Sequence, residues 1–416
     1  MTPEIKQRLE QIRRGEVPDG YKRTKAGIIP YDWNEDSVGN CVREYKRLSN
    51  DIASIPVYSS SRKGLIPQSE YYDQKEAAET NLGYKVVPQG YVTYRHMSDD
   101  DIFHFNINQT NGEILVSSEY PVFTSSKNCD LGFLVPVLNE MSRFRYFCRT
   151  QKLGGTRTRL YFHNLAKYRL GLPPLEEQRK IADILSAQDS VIGLKERLVA
   201  EKERQKKYLM QRLLTGKQRL SGFTRKWEEK RLGDIFDTFS GGTPNRKCPE
   251  YFHGDIPWIK SGELNQGNIY FTEERITKEG LENSSAKMVS KNTLLIAMYG
   301  ATAGVMAFTR IDAAINQAIL AFVPKTPVDI LFIKESISNQ IDMAINQLTQ
   351  GGQPNFNASI IQSLSIRIPE LAEQRKISEI FSCANREIEL LRASLEQEKR
   401  KKKALSQLLL MGIVRV

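Results

Sequence analysis

This sequence lacks long apolar runs and paired cysteines. No stretch approaches the roughly 18 apolar residues that a membrane-spanning helix needs. The first residues, MTPEIKQRLEQIRRGE, are charged rather than typical of a signal peptide. The five cysteines are scattered, without a CxxC pair. A disulfide framework and a zinc site are therefore disfavoured, and we expect a cytoplasmic protein that has no membrane partner.

The motifs of DNA-modifying and ATP-driven enzymes are missing as well. There is no P-loop and no G-x-G-x-x-G cofactor turn. The prolines of LPPL at 172–175 lack the preceding polar residue that a DNA methyltransferase motif needs. The four histidines show no spacing typical of metal ligands. These absences favour a recognition protein that has no catalytic site, cofactor or metal of its own.

What the sequence does have is a basic surplus. Its 416 residues include 60 Lys and Arg against 49 Asp and Glu, a formal net charge of +11, and 40% of the residues are apolar. That length predicts two or three domains. A basic surplus on a globular composition indicates a polyanionic partner.

The strongest internal signal is a repeat. Residues 172–216 align without a gap on residues 368–412, an offset of 368 − 172 = 196. The positions shared by the two copies include Pro173 and Pro369, 177–181 and 373–377, and Gly216 and Gly412. A weaker repeat lies upstream, where Trp33, Val38 and Gly39 match Trp227, Leu232 and Gly233. Between these marks the two halves differ almost completely, apart from Gly-Gly pairs at 154–155 and 351–352. The pattern predicts two variable blocks, each followed by a similar helix.

Both repeated segments are predicted to be long helices. Each begins after a proline with a Glu-rich turn, and each ends at a glycine, which suits a helix C-cap. Apolar residues recur at three- and four-residue steps in both copies. Roughly 40 residues at 1.5 Å each make a rod of about 60 Å, longer than one domain of about 150 residues. We predict an antiparallel coiled coil that acts as a ruler between the blocks, and a pair of ordinary core helices is the alternative.

Short β-prone runs, broken by Gly, Asn and Ser, fill both blocks. In the second block they include IPWIKSGEL, NTLLIAMYG and INQAILAFV, whereas residues 330–348 are predicted to be helical from their apolar spacing. In the first block they include YKVVPQGYVTYR, EILVSSEYPVFT and LGFLVPVL, the last at 131–138. The predicted fold class is α+β, with two β-rich mixed domains separated by two long helices in a pseudo-two-fold repeat.

Domain boundaries follow from the repeat. We predict an N-terminal helical segment and linker at 1–29, a first block at 30–171, a central helix at 172–216, a linker at 217–223, a second block at 224–367 and a C-terminal helix at 368–416. The shared helices are expected to be scaffold, and the differing blocks are expected to carry specificity.

The repeated motifs resemble those of a known family. The P-x-L-x-E-Q-R-K-I helix openings, the L-L-x-G helix endings and the W-x₄-(V/L)-G block starts resemble the specificity subunit of type I restriction–modification systems. The second block adds SGGTPNRKCPEYFHGDIPWIKSGEL and INQAI, which are similar to a common target-recognition domain of that family. The first block, with PVYSSSRKGLIPQ, departs from this pattern, so its role is inferred from its place in the repeat.

The resemblance implies a division of labour. Each block would be a target-recognition domain that reads half of a bipartite site in double-stranded DNA. The helices would hold the blocks apart and bind two methyltransferase subunits, through which restriction subunits join the complex. Adenine N6 methylation and ATP-dependent cleavage would belong to those partners, which would carry S-adenosylmethionine, ATP and Mg. The chain itself would be no enzyme.

Candidate contact residues are the polar and basic side chains that base-edge readout and phosphate binding require. For DNA, the first block offers Tyr58, Ser59, Ser60, Arg62, Lys63, Arg95, His96, Ser125, Ser126, Lys127, Arg157 and Arg159. The second block offers Ser240, Thr243, Arg246, Lys247, Lys260, Ser261, Tyr299, Asn316 and Gln317. For the methyltransferase subunits, the family's helix openings point to Glu177, Gln178, Arg179, Glu373, Gln374 and Arg375.

Two other classes of protein remain open at this point. One is a self-contained restriction or methylation enzyme, or a fragment of one, which would need cofactor and catalytic motifs that the sequence lacks. The other is a coiled-coil scaffold that binds only proteins, for which the basic surplus would be incidental. Salt-dependent DNA binding, with and without a methyltransferase subunit, would separate all three.

Overall fold

The computed structural model divides the chain into two compact units. Unit 1 comprises residues 1–196 and 393–416, and unit 2 comprises residues 197–392. Each unit therefore holds one variable block and a part of each repeated helix. The structure describes residues 2–49, 54–71, 83–152, 156–348 and 357–416. The two Gly-Gly pairs noted above as repeat signals lie outside the described residues.

Unit 1 opens with a helix and a hairpin, so the stretch before residue 30 contains a β-hairpin as well as the expected helix. Thr2 caps the helix, because its hydroxyl accepts a hydrogen bond from the Ile5 N–H. In chain order the helices are α1 Pro3–Arg13, α2 Val38–Cys41, α3 Gln68–Tyr71, α4 Leu131–Glu140, α5 Ser142–Arg149 and α6 Phe162–Leu165. The strands are β1 Tyr21–Thr24, β2 Gly27–Pro30, β3 Asn34–Ser37, β4 Val42–Glu44, β5 Tyr58–Ser61, β6 Gly64–Pro67, β7 Lys85–Val87, β8 Val92–Tyr94, β9 Met97–Ser98, β10 Phe105–Ile107, β11 Ile114–Val116, β12 Val122–Ser125, β13 Thr158–Arg159 and β14 Arg169–Leu172.

The core of the first block is a four-stranded sheet in the order β10-β8-β12-β4. Its aromatic side chains pack together, since the Tyr94 and Phe105 rings have centroids 4.4 Å apart and Phe123 lies 6.3 Å from Phe105. Helix α4 belongs to the same buried cluster. Strand β14 pairs with β3 in antiparallel register, which joins the end of the block to its beginning.

The run LGFLVPVL at 131–138 forms helix α4, so the prediction of a strand there was wrong. Asp130 caps this helix by accepting from the Phe133 N–H at 3.2 Å. The helix is buried on several sides, so nearly all of its residues are apolar. Such a sequence shows neither the alternation of a strand nor the period of a half-exposed helix. Pro136 lies inside it, which sequence rules treat as unfavourable to a helix.

The second half of the chain also has a repeated helix and a β-rich block, but the order of helices and strands in the block differs. The first repeated helix is α7 Leu175–Leu213. The remaining helices are α8 Leu232–Ile235, α9 Lys278–Glu282, α10 Ile330–Leu348, α11 Ala358–Ser363 and the second repeated helix, α12 Leu371–Leu410. The strands are β15 Glu228–Arg231, β16 Phe236–Ser240, β17 Phe252–Ile259, β18 Asn268–Ile269, β19 Glu274–Ile276, β20 Lys287–Val289, β21 Leu294–Ala297, β22 Met306–Thr309, β23 Ala313–Ile315, β24 Ile319–Pro324 and β25 Ser365–Ile368. Short 3₁₀ turns occur at Pro249–Tyr251, Ser261–Gln266 and Gly300–Thr302.

The second block contains two mixed sheets. One has the order β16-β24-β21-β22-β18 and the other the order β19-β17-β23-β20. Helix α10 confirms the helix predicted for 330–348. Strand β15 pairs with β25, which joins this block's end to its beginning in the way that β14 and β3 do in the first block.

In each unit, part of α7 packs against part of α12. In unit 1, Ile181 and Leu185 of α7 share a buried cluster with Leu409 and Leu410 of α12. In unit 2, Leu213 and Leu214 share a cluster with Ile377 and Phe381. The start of one helix therefore meets the end of the other in both units, so the antiparallel pairing and the α+β class are confirmed. No helix within the described ranges is both long and apolar enough to cross a membrane.

Candidate nucleic-acid interface

The repeated helix opening anchors the first block in unit 1. Glu177 is buried, and its carboxylate accepts from Trp33 Nε1 at 3.1 Å and from Arg415 Nε and Nη2 at 2.6 and 2.8 Å. A buried carboxylate needs such donors, because burial without them is costly. Gln178 adds a second link, since its Oε1 accepts from the Asp130 N–H at 2.8 Å and its Nε2 donates to the Pro173 carbonyl at 2.8 Å.

The same anchor occurs in unit 2. Glu373 accepts from Trp227 Nε1 at 3.0 Å and from Arg219 Nε and Nη2 at 2.8 and 2.7 Å. Gln374 Oε1 accepts from the Asp329 N–H at 2.9 Å, and Gln374 Nε2 donates to the Pro369 carbonyl at 2.8 Å. Asp329 in turn accepts from the Phe332 N–H near the start of α10, as Asp130 does at α4. The E-Q pair thus ties each block to its helix.

The two arginines of these anchors were missed from the sequence, although a signal was present. Arg219 and Arg415 are themselves related by 415 − 219 = 196, three residues beyond the glycines that end the helices. Each guanidinium also lies over the indole that it helps to hold, at 5.5 Å from the Trp227 ring centroid and 5.7 Å from that of Trp33. The sequence repeat therefore continues at least three residues beyond the glycines that end the aligned segments.

The residues predicted to bind partners divide into two groups. Glu177, Gln178, Glu373 and Gln374 are buried and already hydrogen-bonded inside their units. Arg179 and Arg375 are exposed. Further along the helices, Leu194 is 59% exposed in unit 1 and Leu390 is 63% exposed in unit 2. These two leucines occupy aligned positions, since 390 − 194 = 196, so both repeated helices expose an apolar side chain at the same point.

Four of the predicted DNA-binding residues of the first block meet at one cavity. Ser60, Arg62, Lys63 and Arg95 line a cavity of about 600 Å³, together with Ser98 and other residues of unit 1. Ser60 is buried, and its hydroxyl accepts from Asn106 Nδ2 at 2.8 Å. The neighbours Tyr58 and Ser59 are half-buried on β5. The three cations share the cavity with Glu70, Asp99 and several apolar side chains, so its lining is mixed.

Two neighbouring aspartates neutralise part of the positive charge of the first block. Arg62 is paired with Asp100, and Arg157 Nε lies 2.8 Å from Asp99 Oδ1. The Arg62 side chain holds the pKa of Asp100 below its usual value. Lys63, Arg95 and Arg159 are exposed and have no ion-pair partner within the described ranges.

His96 is buried and stands apart from the exposed candidates. Its ring stacks on that of Tyr161 with a centroid distance of 5.5 Å, and its Nδ1 has no hydrogen-bond partner among the described residues. Burial lowers the pKa of His96. Ser125, Ser126 and Lys127 do not line the cavity described above. Ser126 donates to the Asn40 carbonyl at 2.8 Å, and of these three only Lys127 is fully exposed.

In the second block, two predicted segments come together. Thr243 Oγ1 donates to Gln317 Oε1 at 2.5 Å, and both side chains are exposed. The Gly242 N–H donates to the Ile315 carbonyl at 3.1 Å. A Cβ on Gly241 would lie 1.8 Å from the Ile315 carbonyl oxygen, so glycine is required here by close packing against β23. The tight contact leaves Thr243 and Gln317 side by side at the surface.

Arg246 and Lys260 form a charge network in the second block. Arg246 lies over the rings of Phe252 and Trp258, with distances of 4.7 and 5.2 Å to their centroids. Its Nη1 is 2.7 Å from Glu274 Oε2, and Lys260 Nζ is 3.0 Å from Glu274 Oε1. The hydrogen bond from Arg246 lowers the pKa of Glu274 most, and the one from Lys260 lowers it further. These two cations are therefore held in place and partly neutralised.

The other candidates of the second block have simpler surroundings. Lys247 and Tyr299 are exposed, whereas Ser240, Ser261 and Asn316 are half-buried. Asn316 Oδ1 accepts from the Ala318 N–H at 3.1 Å, which turns the chain between β23 and β24. Which of the candidates in either block contacts DNA stays a prediction.

The architecture defines the class of this protein as a duplicated one, in which matching helices carry two dissimilar β-rich blocks. A model of the "Type I restriction modification DNA specificity domain" matches residues 14–204 and 224–399. The chain therefore belongs to the type I restriction–modification specificity family. It is a specificity subunit, and its function is DNA sequence recognition within such a system.

Individual relatives match nearly all of the chain or about half of it. The chain is 25% identical to a Methanocaldococcus jannaschii protein provisionally described as the specificity subunit of the type I restriction enzyme MjaX, over 96% of this chain and 97% of that protein. It is 25% identical to the EcoR124I/EcoR124II specificity subunit of Escherichia coli, over 55% of this chain and 58% of the relative. The crystal structure of a type I S subunit from M. genitalium has the same fold, with a TM-score of 0.57, 12% identity and coverage of 94% of this chain and 98% of that one.

Proposed function

We propose that each unit reads one half of a bipartite site in double-stranded DNA. The observation that carries this proposal is the repeated anchor, in which the same Glu, Trp and Arg seat two blocks that otherwise differ. Identical seating of unlike surfaces is expected when two sequence readers share one scaffold. A protein-only scaffold would not need two blocks that differ so completely on one repeated seat.

The exposed residues suggest how the two units divide their contacts. In unit 1, Lys63, Arg95 and Arg159 are exposed cations that have no carboxylate partner among the residues that the structure describes, which suits phosphate contacts. In unit 2, the Gln317 amide is oriented by the Thr243 hydroxyl. A glutamine amide can bond both N6 and N7 of adenine in the major groove, so Gln317 is the strongest base-reading candidate in that unit.

The helices would dock two methyltransferase subunits, one at each repeat. Leu194 and Leu390 support this stoichiometry, because a pair of aligned and exposed leucines offers the same apolar contact twice. Restriction subunits would join through these partners. Catalysis, with S-adenosylmethionine, ATP and Mg, would belong to the partner subunits. The isolated chain is expected to give no S-adenosylmethionine binding signal by calorimetry at micromolar concentration.

Exchange of one block tests the reading of half-sites. Residues 224–367 would be replaced by the corresponding block of a family member that has a different specificity, with Trp227 and Glu373 kept in register. The modified sites in cells would then be mapped by sequencing. We expect one half of the recognised sequence to change and the other half to stay the same.

The matched control is exchange of residues 30–171, which should change the opposite half. A result in which either exchange alters both halves would show that the blocks do not read independently. Loss of all methylation together with loss of folding would be recognised by circular dichroism, and Gln317→Ala in the otherwise unchanged chain would then test the second half-site alone.

A further inference from the structure

The buried apolar residues along α7 and α12, here called the apolar seam, are nearly equivalent on the two helices. Residues that are buried on α7 have buried counterparts at the offset of 196 on α12. The pairs are Ile181 and Ile377, Leu185 and Phe381, Ile192 and Ile388, Val199 and Leu395, and Leu213 and Leu409. Because the two helices present equivalent apolar faces, a second copy of α7 would fit α7 nearly as well as α12 does. Some other feature must select the correct partner.

Charges beside the seam differ between the two helices. In unit 1, Lys399 Nζ of α12 lies 2.9 Å from Glu196 Oε1 of α7. In unit 2, Arg392 Nε of α12 lies 3.2 Å from Glu203 Oε1 of α7. Lys399 aligns with Glu203, and Arg392 aligns with Glu196, since 399 − 203 and 392 − 196 both equal 196. At these two aligned positions α7 is acidic and α12 is basic.

A pair of identical α7 helices would bring like charges together. Each residue would then meet the α7 residue that aligns with its present partner, so Glu196 would face Glu203. The neighbouring ion pair of Lys195 with Glu398 would also be replaced by a like-charge pair. Lys195 Nζ lies 3.2 Å from Glu398 Oε1, and Glu398 aligns with Lys202, so Lys195 would face Lys202. A two-fold pair repeats every contact, so each repulsion would occur twice.

A pair of identical α12 helices is disfavoured by the same positions. In that pair Arg392 would face Lys399, again twice. The pairing of α7 with α12 is thus the arrangement in which opposite charges meet at these positions. Flanking charges of this kind set partner choice in coiled coils.

We propose that these charges form a pairing code. The face of α7 accepts α12 and rejects a second α7, and α12 rejects a second α12. The code limits association between copies of this chain through like helices, which the repeated apolar seam alone would permit.

Charge exchange in the full-length chain tests the code. The variant Glu196→Arg with Glu203→Lys gives α7 the charges of α12, so both helices become basic. The variant Arg392→Glu with Lys399→Glu makes both acidic. The fourfold variant restores opposite charges in exchanged positions. At low ionic strength we expect each double variant to lower the unfolding midpoint Tm by about 2–5 °C and the fourfold variant to recover most of that loss.

Three controls separate the code from a general effect of charge. Glu201→Lys with Glu389→Lys makes the same change in net charge as the Glu196/Glu203 variant, at exposed helix positions, and should leave Tm nearly unchanged. Glu196→Gln with Glu203→Gln removes attraction without repulsion and should cost less than reversal. High salt should reduce every difference. A fourfold variant as unstable as the doubles, or doubles as stable as the Glu201/Glu389 control, would overturn the proposal.

Discussion

The anchors of the two units reach the same geometry by different routes along the chain. In unit 2, Arg219 precedes Trp227 by eight residues, so one short segment supplies both donors to Glu373. In unit 1, Arg415 and Trp33 come from opposite ends of the sequence, yet they bind Glu177 at nearly the same distances. The hydrogen bonds among the Glu, Trp and Arg side chains therefore determine the geometry of the anchor, whether or not a short chain segment links the Arg to the Trp.

Unit 1 has additional contacts at this joint. Arg415 Nη1 and Nη2 donate to the two Asp32 carboxylate oxygens at 2.8 and 2.6 Å. Tyr21 donates to the Gly412 carbonyl at 2.6 Å, and Arg8 donates to the Ile413 carbonyl at 2.9 Å. Where no short covalent segment holds the pieces together, more hydrogen bonds do so. The N-terminal helix and hairpin thus reinforce the end of α12.

The largest effect is expected from removal of the anchor arginines. Arg415→Ala leaves the buried Glu177 carboxylate with Trp33 as its remaining donor, which should cost about 2–4 kcal/mol. Arg219→Ala does the same to Glu373, but the tethered segment keeps Trp227 close, so we expect a smaller loss. Thermal unfolding of both variants measures the difference. An equal or larger loss for Arg219→Ala would contradict the comparison, and Asp32→Asn serves as a milder control in unit 1.

The second effect concerns the aligned leucines of the two units. Leu194→Arg and Leu390→Arg should each weaken one of two methyltransferase contacts by tenfold or more, because a charge would replace an apolar contact. Native mass spectrometry with a co-expressed methyltransferase subunit should show one bound copy for each single variant and none for the double. Retention of two copies by the double variant would place the docking surface elsewhere. Glu201→Lys is the surface control.

A third and smaller effect separates base reading from phosphate binding. Gln317→Ala should cost about 1–3 kcal/mol for the correct site and relax specificity at one position of the second half-site. Lys63→Ala should weaken binding to all sequences alike and reduce the salt dependence by about one phosphate contact. Competition binding against point-mutated sites, at two salt concentrations, measures both. A sequence-independent loss for Gln317→Ala would remove it as a base reader.

The smallest effect is a dependence on pH in unit 1. Burial lowers the pKa of His96 below its usual value of 6.5, with Arg159 and Arg95 acting in the same direction and Glu119 against it. Burial lowers the pKa of His104 as well. Below pH 6.5 the unfolded chain takes up protons that the folded unit does not, so stability should fall as the pH drops from about 7 to 5. His96→Gln should flatten that dependence by roughly 1–3 °C in Tm, and an unchanged slope would show that His96 is not responsible.

The long helices and the fold class could be predicted because the repeat and its apolar period are local properties of the sequence. Helix α4 could not, since the run LGFLVPVL has no period to read and the start of the helix is also held by a tertiary contact, the Asp130 N–H bonding to Gln178. The anchors depend on residues that are 144 to 238 positions apart, and sequence spacing alone does not show that such residues are in contact.

Site prediction had a similar limit. Composition identified polar and basic residues in both blocks, but it could not show that Ser60 and His96 are buried or that Arg62 is paired with Asp100. The family resemblance assigned the Glu and Gln of the helix openings to partner binding, whereas their side chains have partners inside their own units. A repeated motif marks a shared requirement, and in this chain the Glu–Trp–Arg anchor is a requirement of both units.

The anchor in unit 1 also sets an order in time. A ribosome synthesises residues 197–392 before residues 393–416, so Glu373, Arg219 and Trp227 are all available while Arg415 is still untranslated. The second block can therefore be seated during translation, whereas the first block must wait with an unsatisfied Glu177 until the end of α12 has emerged. The part of the protein that is made first is the last to be completed.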